Sequence, residues 1–308
     1  MRSLRSILPR ASAAFSIYCL PHSTNLHHHH LINTNHITSN SSNSNSNSNN
    51  NTRTTLPFCT SPENADDFPA DLRREKMPEH VAFILDGNKR WADRRGLGSE
   101  AGHEAGLKSL LQVMGLCAKW DIKVATFFLF SSENWRRPKQ EIEFVMKRFE
   151  RMLVDELEDI KRKGIKISTI GEISKLSESL QKVLQQTKEA TENNTKTHVI
   201  FAISYSGKND LVQACQSIAT KVRNGLVEPR DITEFLLERE LETNITSNPC
   251  PDLLIRTSGE IRISNFLLWQ LAYSEMYFTD TLWPDFHEPE FVRALSSFQT
   301  RGRRFGGR

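Results

Sequence analysis

Cysteine, long apolar runs and, at the start of the chain, acidic side chains are all scarce in this sequence. Five of its 308 residues are cysteine. The three beyond residue 62 have neither metal-ligand nor redox spacing, so we expect buried free thiols. No run of about 18 apolar residues occurs, so the sequence predicts no helix that crosses a bilayer. No Asp or Glu precedes Glu63.

The acid-free segment, residues 1–62, has the composition of a targeting sequence. Its first residues, MRSLRSILPRASAAFSIYCL, are rich in Arg and Ser, and the polar tract SNSSNSNSNSNNN follows. The segment lacks the apolar mass that folding requires, so it is predicted to be disordered. It also lacks the apolar centre of a secretory signal, which favours an organelle transit peptide over a plain disordered tail. The length of the Ser/Asn-rich part favours a plastid, and hence the stroma, over a mitochondrion.

The positive charge of the whole chain belongs mostly to this segment. Four of the 40 Lys and Arg residues lie in residues 1–62, whereas all 37 Asp and Glu residues lie beyond it, which leaves 36 cations against 37 anions. A net charge of −1 does not indicate a general nucleic-acid surface. An anion site must therefore come from local clustering of cations.

Apolar strands and amphipathic helices alternate from residue 77 onward. HVAFIL (80–85), KVATFFLF (123–130), IKISTIG (165–171), THVIFAISY (197–205) and DLLI (252–255) are typical of buried strands. Helical patterns separate them, including a long one over 141–164 and one that Ser174 is expected to cap. This order predicts an α/β fold, with a central, mostly parallel sheet flanked by helices in a single domain over 77–308.

Three of the predicted strands end in polar residues suited to phosphate. Asp86-Gly87-Asn88 with Arg90 follows the first strand, residues 131–138 follow the second, and residues 256–265 follow DLLI. Ligands of open parallel sheets bind at the carboxyl ends of strands, and Arg forks, hydroxyls and amides suit a phosphate. A carboxylate among them would repel phosphate unless it holds a cation, and Mg²⁺ typically binds one or two carboxylates plus phosphate oxygens. We therefore predict a magnesium–diphosphate site around Asp86, with Glu275 as a second possible ligand.

Five motifs resemble, in order and spacing, the signature regions of the cis-prenyltransferases, the undecaprenyl diphosphate synthase family. They are HVAFILDGNKRWA, GHEAG (102–106), FSSENWRRPKQEI (130–142), DLLIRTSGEIRISNFLLWQLAYSEMYFTDTLWPDF (252–286) and RGRRFGG (301–307). The resemblance implies that family's fold rather than an all-α one. It also implies Mg²⁺ dependence, a homodimer, and condensation of an allylic diphosphate with the homoallylic isopentenyl diphosphate through a Z double bond.

The resemblance also implies roles for single residues. Asp86 corresponds to the aspartate that binds Mg²⁺ and assists departure of the allylic diphosphate, and Glu275 to a carboxylate linked to the same ion. The expected catalytic residues are Asp86, Asn88, Ser131, Asn134 and His103, and the expected diphosphate-binding residues are Gly87, Arg90, Trp135, Arg137, Arg256, Arg262 and Ser264.

Departures from the family pattern favour a short product. Leu129 is bulky where long-chain members tend to have Ala, and Phe144 and Phe149 follow on the helix that lines the expected tunnel. Ser258 stands where the family usually has Gly, and Ile261 replaces a commonly polar residue, beside the expected clamp for the second substrate. These features favour a C10 product, or C15, made from dimethylallyl diphosphate. Two C10 routes stay open: Z-condensation with isopentenyl diphosphate (neryl type) and head-to-middle coupling of two dimethylallyl diphosphates (lavandulyl type).

Two other classes fit less well. A non-catalytic partner subunit of a heteromeric long-chain cis-prenyltransferase would lack Asp86 and much of FSSENW, both of which are here. An all-α trans-prenyl synthase requires paired DDxxD motifs on helices, whereas DDFPAD (66–71) has the wrong spacing and precedes the fold.

Overall fold

The structure is a computed structural model that describes residues 68–304. The transit-peptide prediction for residues 1–62 lies outside the described residues. The same holds for residues 305–307, the end of the RGRRFGG motif.

Six parallel strands form one sheet in the described part of the chain. The strands are β1 (His80–Ile84), β2 (Val124–Ser131), β3 (Ile165–Ile170), β4 (Thr197–Tyr205), β5 (Leu253–Arg256) and β6 (Glu275–Phe278). Their spatial order is β3-β4-β2-β1-β5-β6, and every neighbouring pair is parallel. The predicted fold is therefore confirmed. β6, whose sequence is EMYF, was not predicted.

Eight α-helices connect and cover the strands in residues 68–304. They are α1 (Asn88–Asp93), α2 (Ser99–Lys119), α3 (Lys139–Asp155), α4 (Leu157–Arg162), α5 (Glu178–Thr191), α6 (Gly207–Arg223), α7 (Glu234–Glu240) and α8 (Glu288–Gln299). Two predictions were wrong in detail. The long helix over 141–164 is interrupted at Glu156, which has φ −101° and ψ 2°. Ser177, not Ser174, caps α5, and its hydroxyl accepts a hydrogen bond from the Leu180 N–H.

Aromatic side chains fill the core on both faces of the sheet. On one face, the rings of Phe83 and Phe127 stack with centroids 4.7 Å apart. On the other face, Phe128 and Phe266 stack at 4.4 Å. Burial on both faces is what a parallel sheet covered by helices requires, and it explains why the central strands β1 and β2 are almost continuously apolar rather than alternating.

The predictions about membrane-spanning helices and about cysteine thiols have different outcomes. Within residues 68–304 no helix is both long and apolar enough to cross a membrane, as predicted. The thiol expectation was only partly right: Cys117 is buried, whereas Cys215 and Cys250 are exposed. Burial raises the pKa of the Cys117 thiol, so that thiol stays protonated.

Candidate active site

The pairing of β1 with β5 brings Asp86 beside Arg256. Ile84 lies opposite Arg256 in the sheet, so the residues just after each strand meet at the same edge. The Arg256 Nη2 donates to Asp86 Oδ2 at 2.9 Å, and its Nη1 donates to Ser264 Oγ at 2.7 Å. The Arg256 side chain is only 4% exposed. A buried guanidinium thus holds the carboxylate in one orientation at the end of the strand.

Arg90, on α1, approaches the other side of the same carboxylate. Its Nη2 lies 3.4 Å from Asp86 Oδ1 and donates to Ser258 Oγ at 2.6 Å, while Nη1 donates to the Ser258 carbonyl at 3.0 Å. Partial burial raises the pKa of Asp86, but the hydrogen bond and charge of Arg256, the charge of Arg90 and a hydrogen bond from Ser258 outweigh it. The pKa of Asp86 therefore falls below its ordinary value, and the group is ionised at neutral pH.

Gly87 makes the turn from the strand into α1. Its φ is +110°, and a Cβ there would lie 2.9 Å from Leu282 Cδ2. Both the left-handed conformation and the lack of space require glycine. The turn is also tied to β5, since the Asp86 N–H donates to Thr257 Oγ1 at 3.0 Å and the Thr257 hydroxyl donates to the Asp86 carbonyl at 2.7 Å.

Asn88 begins α1 and lines the cleft, and its carboxamide oxygen lies against Gly106 of α2. Its Oδ1 is buried and has no hydrogen-bond partner, whereas Nδ2 donates weakly to the Leu85 carbonyl at 3.4 Å. α2 approaches Asn88 closely through two glycines, because a Cβ on Gly102 would lie 2.1 Å from the Asn88 carbonyl oxygen and one on Gly106 would lie 2.3 Å from Asn88 Oδ1. A buried acceptor without a partner destabilises the fold. Such a cost is expected for a group that is kept to bind a ligand.

His103 and Glu141 join α2 to α3 beside the same cleft. His103 Nε2 lies 3.8 Å from Glu141 Oε1, and Arg137 Nη1 donates to that oxygen at 3.2 Å. Burial lowers the pKa of His103; Glu141 opposes this shift, and the charge of Arg137 adds to it. The imidazole is therefore mostly neutral at pH 7, with a buried Nε2 that has no hydrogen-bond partner.

The end of β2 supplies Ser131 and Asn134. The Ser131 N–H donates to Asn134 Oδ1 at 3.0 Å, which fixes the tight turn after the strand. Trp135 was expected to contact a diphosphate, but it does not line any of the cavities of the cleft. Its Nε1 donates to Ser204 Oγ at 2.9 Å and its ring packs edge-on against Phe130, so it anchors the turn to β4.

The loop after β5 is arranged around Arg256 rather than around the side chain of Arg262. The Arg256 Nη1 donates to the Arg262 carbonyl at 2.5 Å. The Arg262 side chain is 60% exposed and pairs with Glu260 at 2.5 Å. Glu260, which the sequence analysis did not single out, also lies 3.5 Å from Arg90 Nη1.

Glu275 lies at the amino ends of the strands, opposite to the ends that carry Asp86. It is the first residue of β6 and pairs with Leu253, whereas Phe278 pairs with Arg256. Glu275 and Phe278 are three residues apart along the strand, so the level of Glu275 is about 10 Å from the level of Arg256. Its Oε2 accepts a hydrogen bond from Arg301 Nη1 at 2.8 Å. Within one copy of the chain, therefore, Glu275 does not join Asp86 in a common site.

Three adjoining cavities connect these groups, and Leu85, Asn88 and His103 line all of them. The outer cavity, about 390 Å³, is polar and is lined by Asp86, Arg90, Arg137 and Glu141 among others. The middle cavity, about 210 Å³, is also lined by Asp86, Ser131, Asn134, Arg137, Arg256 and Ser264. The inner cavity, about 70 Å³, is mainly apolar and is lined by Leu107, Leu110, Leu129, Val145, Met146, Arg148 and Phe149 among others. One cleft thus runs from charged groups to an apolar end.

The three residues predicted to line a tunnel differ in their placement. Leu129 and Phe149 line the inner cavity, but Phe144 does not. Val145, Arg148 and Phe149 are spaced by three and four residues and share one face of α3, whereas Phe144 is about 100° away from Val145 around the helix.

The donor set around Asp86 suits magnesium better than a metal that needs several protein ligands. No group of three or more His, Cys, Asp or Glu side chains in residues 68–304 could hold a metal ion. Mg²⁺ usually keeps several waters and takes one or two carboxylates together with substrate phosphates. The single ionised carboxylate of Asp86, between two guanidinium groups that would bind the same phosphates, fits that pattern.

Besides Glu260, two further contributors to the site escaped the sequence analysis. Gly106 makes room for Asn88, and its only signal was the four-residue spacing of the glycines in GHEAG, which puts them on one helix face. Arg148 lines the inner cavity, and a lone arginine in a charged helix gives no signal of that kind.

Comparisons with known proteins identify the family. Residues 84–306 match the family model described as putative undecaprenyl diphosphate synthase. The chain is 55% identical over 238 residues to cis-prenyltransferase 4, chloroplastic, of Solanum lycopersicum, covering 77% of each chain. It is 52% identical over 249 residues to dehydrodolichyl diphosphate synthase 2 of Arabidopsis thaliana, covering 81% of this chain and 80% of the relative.

A solved structure has the same fold. The crystal structure of lavandulyl diphosphate synthase from Lavandula x intermedia, in complex with dimethylallyl diphosphate, matches with a TM-score of 0.74 and 40% identity. The match covers 75% of this chain and 99% of that one. On this sequence and structural similarity, the chain belongs to the undecaprenyl diphosphate synthase family, the cis-prenyltransferases.

Proposed function

We propose that the protein is a short-chain cis-prenyl diphosphate synthase that makes a C10 prenyl diphosphate from dimethylallyl diphosphate. The observation that carries the proposal is the cleft itself. It is charged where two diphosphates would bind, and it closes on a small apolar cavity where a hydrocarbon tail would lie.

The outer and middle cavities suit two diphosphates that meet at Asp86. Arg90 and Arg137 line the outer cavity and would bind the allylic diphosphate, and Arg256 with Ser264 lines the middle cavity and would bind the second substrate. Guanidinium groups neutralise phosphate charge and recognise it through paired hydrogen bonds. Since Asp86 lies between Arg90 and Arg256, the two substrates would approach each other at its carboxylate.

Asp86 would hold the magnesium ion. When bound, that ion supplies positive charge to the departing diphosphate as the allylic C–O bond breaks. The guanidinium groups keep Asp86 ionised, and so available as a ligand, even in mild acid. The remaining charge on the leaving group would be stabilised by the fixed donors of Arg90 and Arg137.

The uncharged polar groups of the cleft would act on the organic part of the substrates. Asn88 Oδ1, buried without a partner, and neutral His103 lie where the cavities adjoin. They would orient the allylic end as the new carbon–carbon bond forms. Ser131 and Asn134, in the middle cavity, would assist removal of the proton that the acceptor loses. The apolar walls would keep water from the allylic cation.

The size of the inner cavity supports a short product. An apolar cavity of about 150 Å³ holds one benzene molecule, and the inner cavity measures about 70 Å³. The inner cavity is thus smaller than a benzene-sized space and leaves no room for a long polyprenyl chain, and a C10 tail would also occupy part of the middle cavity of about 210 Å³. The similarity to lavandulyl diphosphate synthase supports the same length, with C15 as the next candidate.

Two routes lead to C10, and they differ in the second substrate. Z-condensation with isopentenyl diphosphate gives neryl diphosphate, whereas head-to-middle coupling of two dimethylallyl diphosphates gives lavandulyl diphosphate. The name chloroplastic, carried by the tomato relative, supports the plastid stroma as the site of action. The family resemblance favours a homodimer.

The full chain incubated with Mg²⁺ tests the proposal. Dimethylallyl diphosphate is supplied alone and then with isopentenyl diphosphate, and the alcohols released by phosphatase are identified. Lavandulol from the first mixture supports the irregular route, and nerol from the second supports the regular one. Absence of any prenyl product would contradict the enzyme assignment and would support the partner-subunit alternative if a second subunit restored synthesis. Polyprenols as the main products would contradict the chain length.

A further inference from the structure

One charged side chain interrupts the apolar wall of the inner cavity. Most of the lining is hydrocarbon, and Asn88 and His103 belong to the junction with the two polar cavities. Arg148, in contrast, lines the inner cavity and neither of the other two. A guanidinium is an unexpected group in a space meant for a prenyl tail, because hydrocarbon offers it neither water nor an acceptor.

Arg148 is held in this position from the neighbouring helix. Its Nη2 pairs with Glu104 Oε1 on α2 at 3.0 Å, and the two side chains are 42% and 45% exposed. Its Nε is buried and has no hydrogen-bond partner. Arg148 thus places its stem and Nε in the wall while its charged end reaches partly into water.

The position of Arg148 along α3 corresponds to a definite tail length. Glu141 lines the outer cavity, where the diphosphate would lie, and Arg148 follows it by seven residues. Seven residues of α-helix rise about 10 Å. Three bonds of an extended backbone span about 3.6 Å, so the four carbon–carbon bonds of one isoprene unit span about 5 Å. Arg148 therefore lies about two isoprene units from the diphosphate end.

We propose that Arg148, held by Glu104, is the residue that limits the length of the prenyl chain. A third isoprene unit would have to pass along the guanidinium and separate its partly exposed charged end from water. The inference rests on the proposed function and adds to it the residue that sets the C10 limit. Leu129 and Phe149 narrow the same cavity by bulk, and Phe149 belongs mainly to the core, where it packs edge-on against Phe201.

The test compares allylic substrates of two lengths in the full chain with Mg²⁺. Turnover of a C15 allylic diphosphate (farnesyl diphosphate) relative to dimethylallyl diphosphate is measured for Arg148→Leu and Arg148→Met, with either C5 diphosphate as second substrate. We expect this ratio to rise at least tenfold in both variants, with products longer than C10 at excess isopentenyl diphosphate. Arg148→Lys keeps a charge in the wall and should stay selective for the short substrate.

Arg151→Leu is the matched control. Arg151 lies on the same helix, is 72% exposed, pairs with Asp155 and does not line the cavity, so its removal should leave the ratio unchanged. Unchanged selectivity in folded Arg148→Leu and Arg148→Met, while the parent chain makes C10, would overturn this inference and leave the proposed function intact. A parent chain that makes long polyprenyl products, or none, would overturn both.

Discussion

Gly106→Ala tests whether the close approach of α2 fixes Asn88 for catalysis. Alanine is favoured over glycine inside a helix by about 1 kcal/mol. At position 106, however, the new Cβ would lie 2.3 Å from Asn88 Oδ1 and 3.1 Å from Trp283 Cδ1. One of these groups must move, and overpacking of this kind costs about 1–3 kcal/mol. The net change in the free energy of unfolding is therefore expected to be a loss of about 0–2 kcal/mol.

The effect on turnover should be much larger than the effect on stability. Displacement of a positioning group by about 1 Å can lower the rate on the order of 100-fold, and only a weak hydrogen bond from Asn88 Nδ2 to the Leu85 carbonyl, at 3.4 Å, holds the carboxamide in place. We expect kcat/KM for C10 synthesis to fall on the order of 100-fold, while urea unfolding followed by circular dichroism reports a folded protein.

Gly115→Ala is the control on the same helix. A Cβ at position 115 would meet only Lys163, with its nearest atom, Nζ, at 3.5 Å, so only the helix propensity changes. This variant should be more stable by about 0.5–1 kcal/mol and fully active. If Gly106→Ala matched Gly115→Ala in kcat/KM, the role assigned to the Asn88 carboxamide would be refuted.

Four further predictions concern the charged part of the cleft and the tail cavity. Asp86→Ala should abolish product formation in a folded protein, since the diphosphate loses its metal ligand; retained turnover would remove Asp86 from the mechanism. Arg256→Met should lower the free energy of unfolding by about 1.5–3 kcal/mol in urea titrations, because it removes a buried charged donor, and an unchanged midpoint would contradict this. Because the pKa of Asp86 is lowered by folding, its contribution to stability is complete above its unfolded pKa of about 4 and is lost as the pH falls through the folded value. Asp86→Asn should flatten the thermal-stability profile in that acid range. Leu129→Ala should lengthen the products when isopentenyl diphosphate is abundant, and an identical distribution would show that Leu129 does not limit length.

The sequence predicted the parts of the site that follow directly from strand order. β1, β2 and β5 were predicted because each is an apolar run, and parallel strands bring their carboxyl ends to one edge. Asp86, Ser131 and Arg256 consequently lie around a common cleft. No knowledge of side-chain orientation was needed for this.

The errors arose where the outcome depends on register or on helical phase. β6 was not recognised from the sequence, so nothing indicated that Glu275 would begin a strand and lie about 10 Å from the level of Arg256 at the carboxyl ends of the strands. Phe144 was assigned to the tunnel although Val145 faces the cavity, because the rotation of α3 depends on how it packs. Arg262 was expected to contact a diphosphate through its side chain, but its backbone carbonyl serves Arg256 instead.

The separation of Asp86 from Arg256 along the chain has a consequence for synthesis on the ribosome. The two residues are 170 positions apart, so at typical elongation rates Arg256 emerges roughly ten to thirty seconds after Asp86. Until then β1 has an open edge, which is a site for pairing with other chains. A nascent or truncated polypeptide that ends before residue 252 would therefore be prone to aggregate and would lack Arg256 for the second diphosphate, and it would depend on chaperones until its last strands arrive.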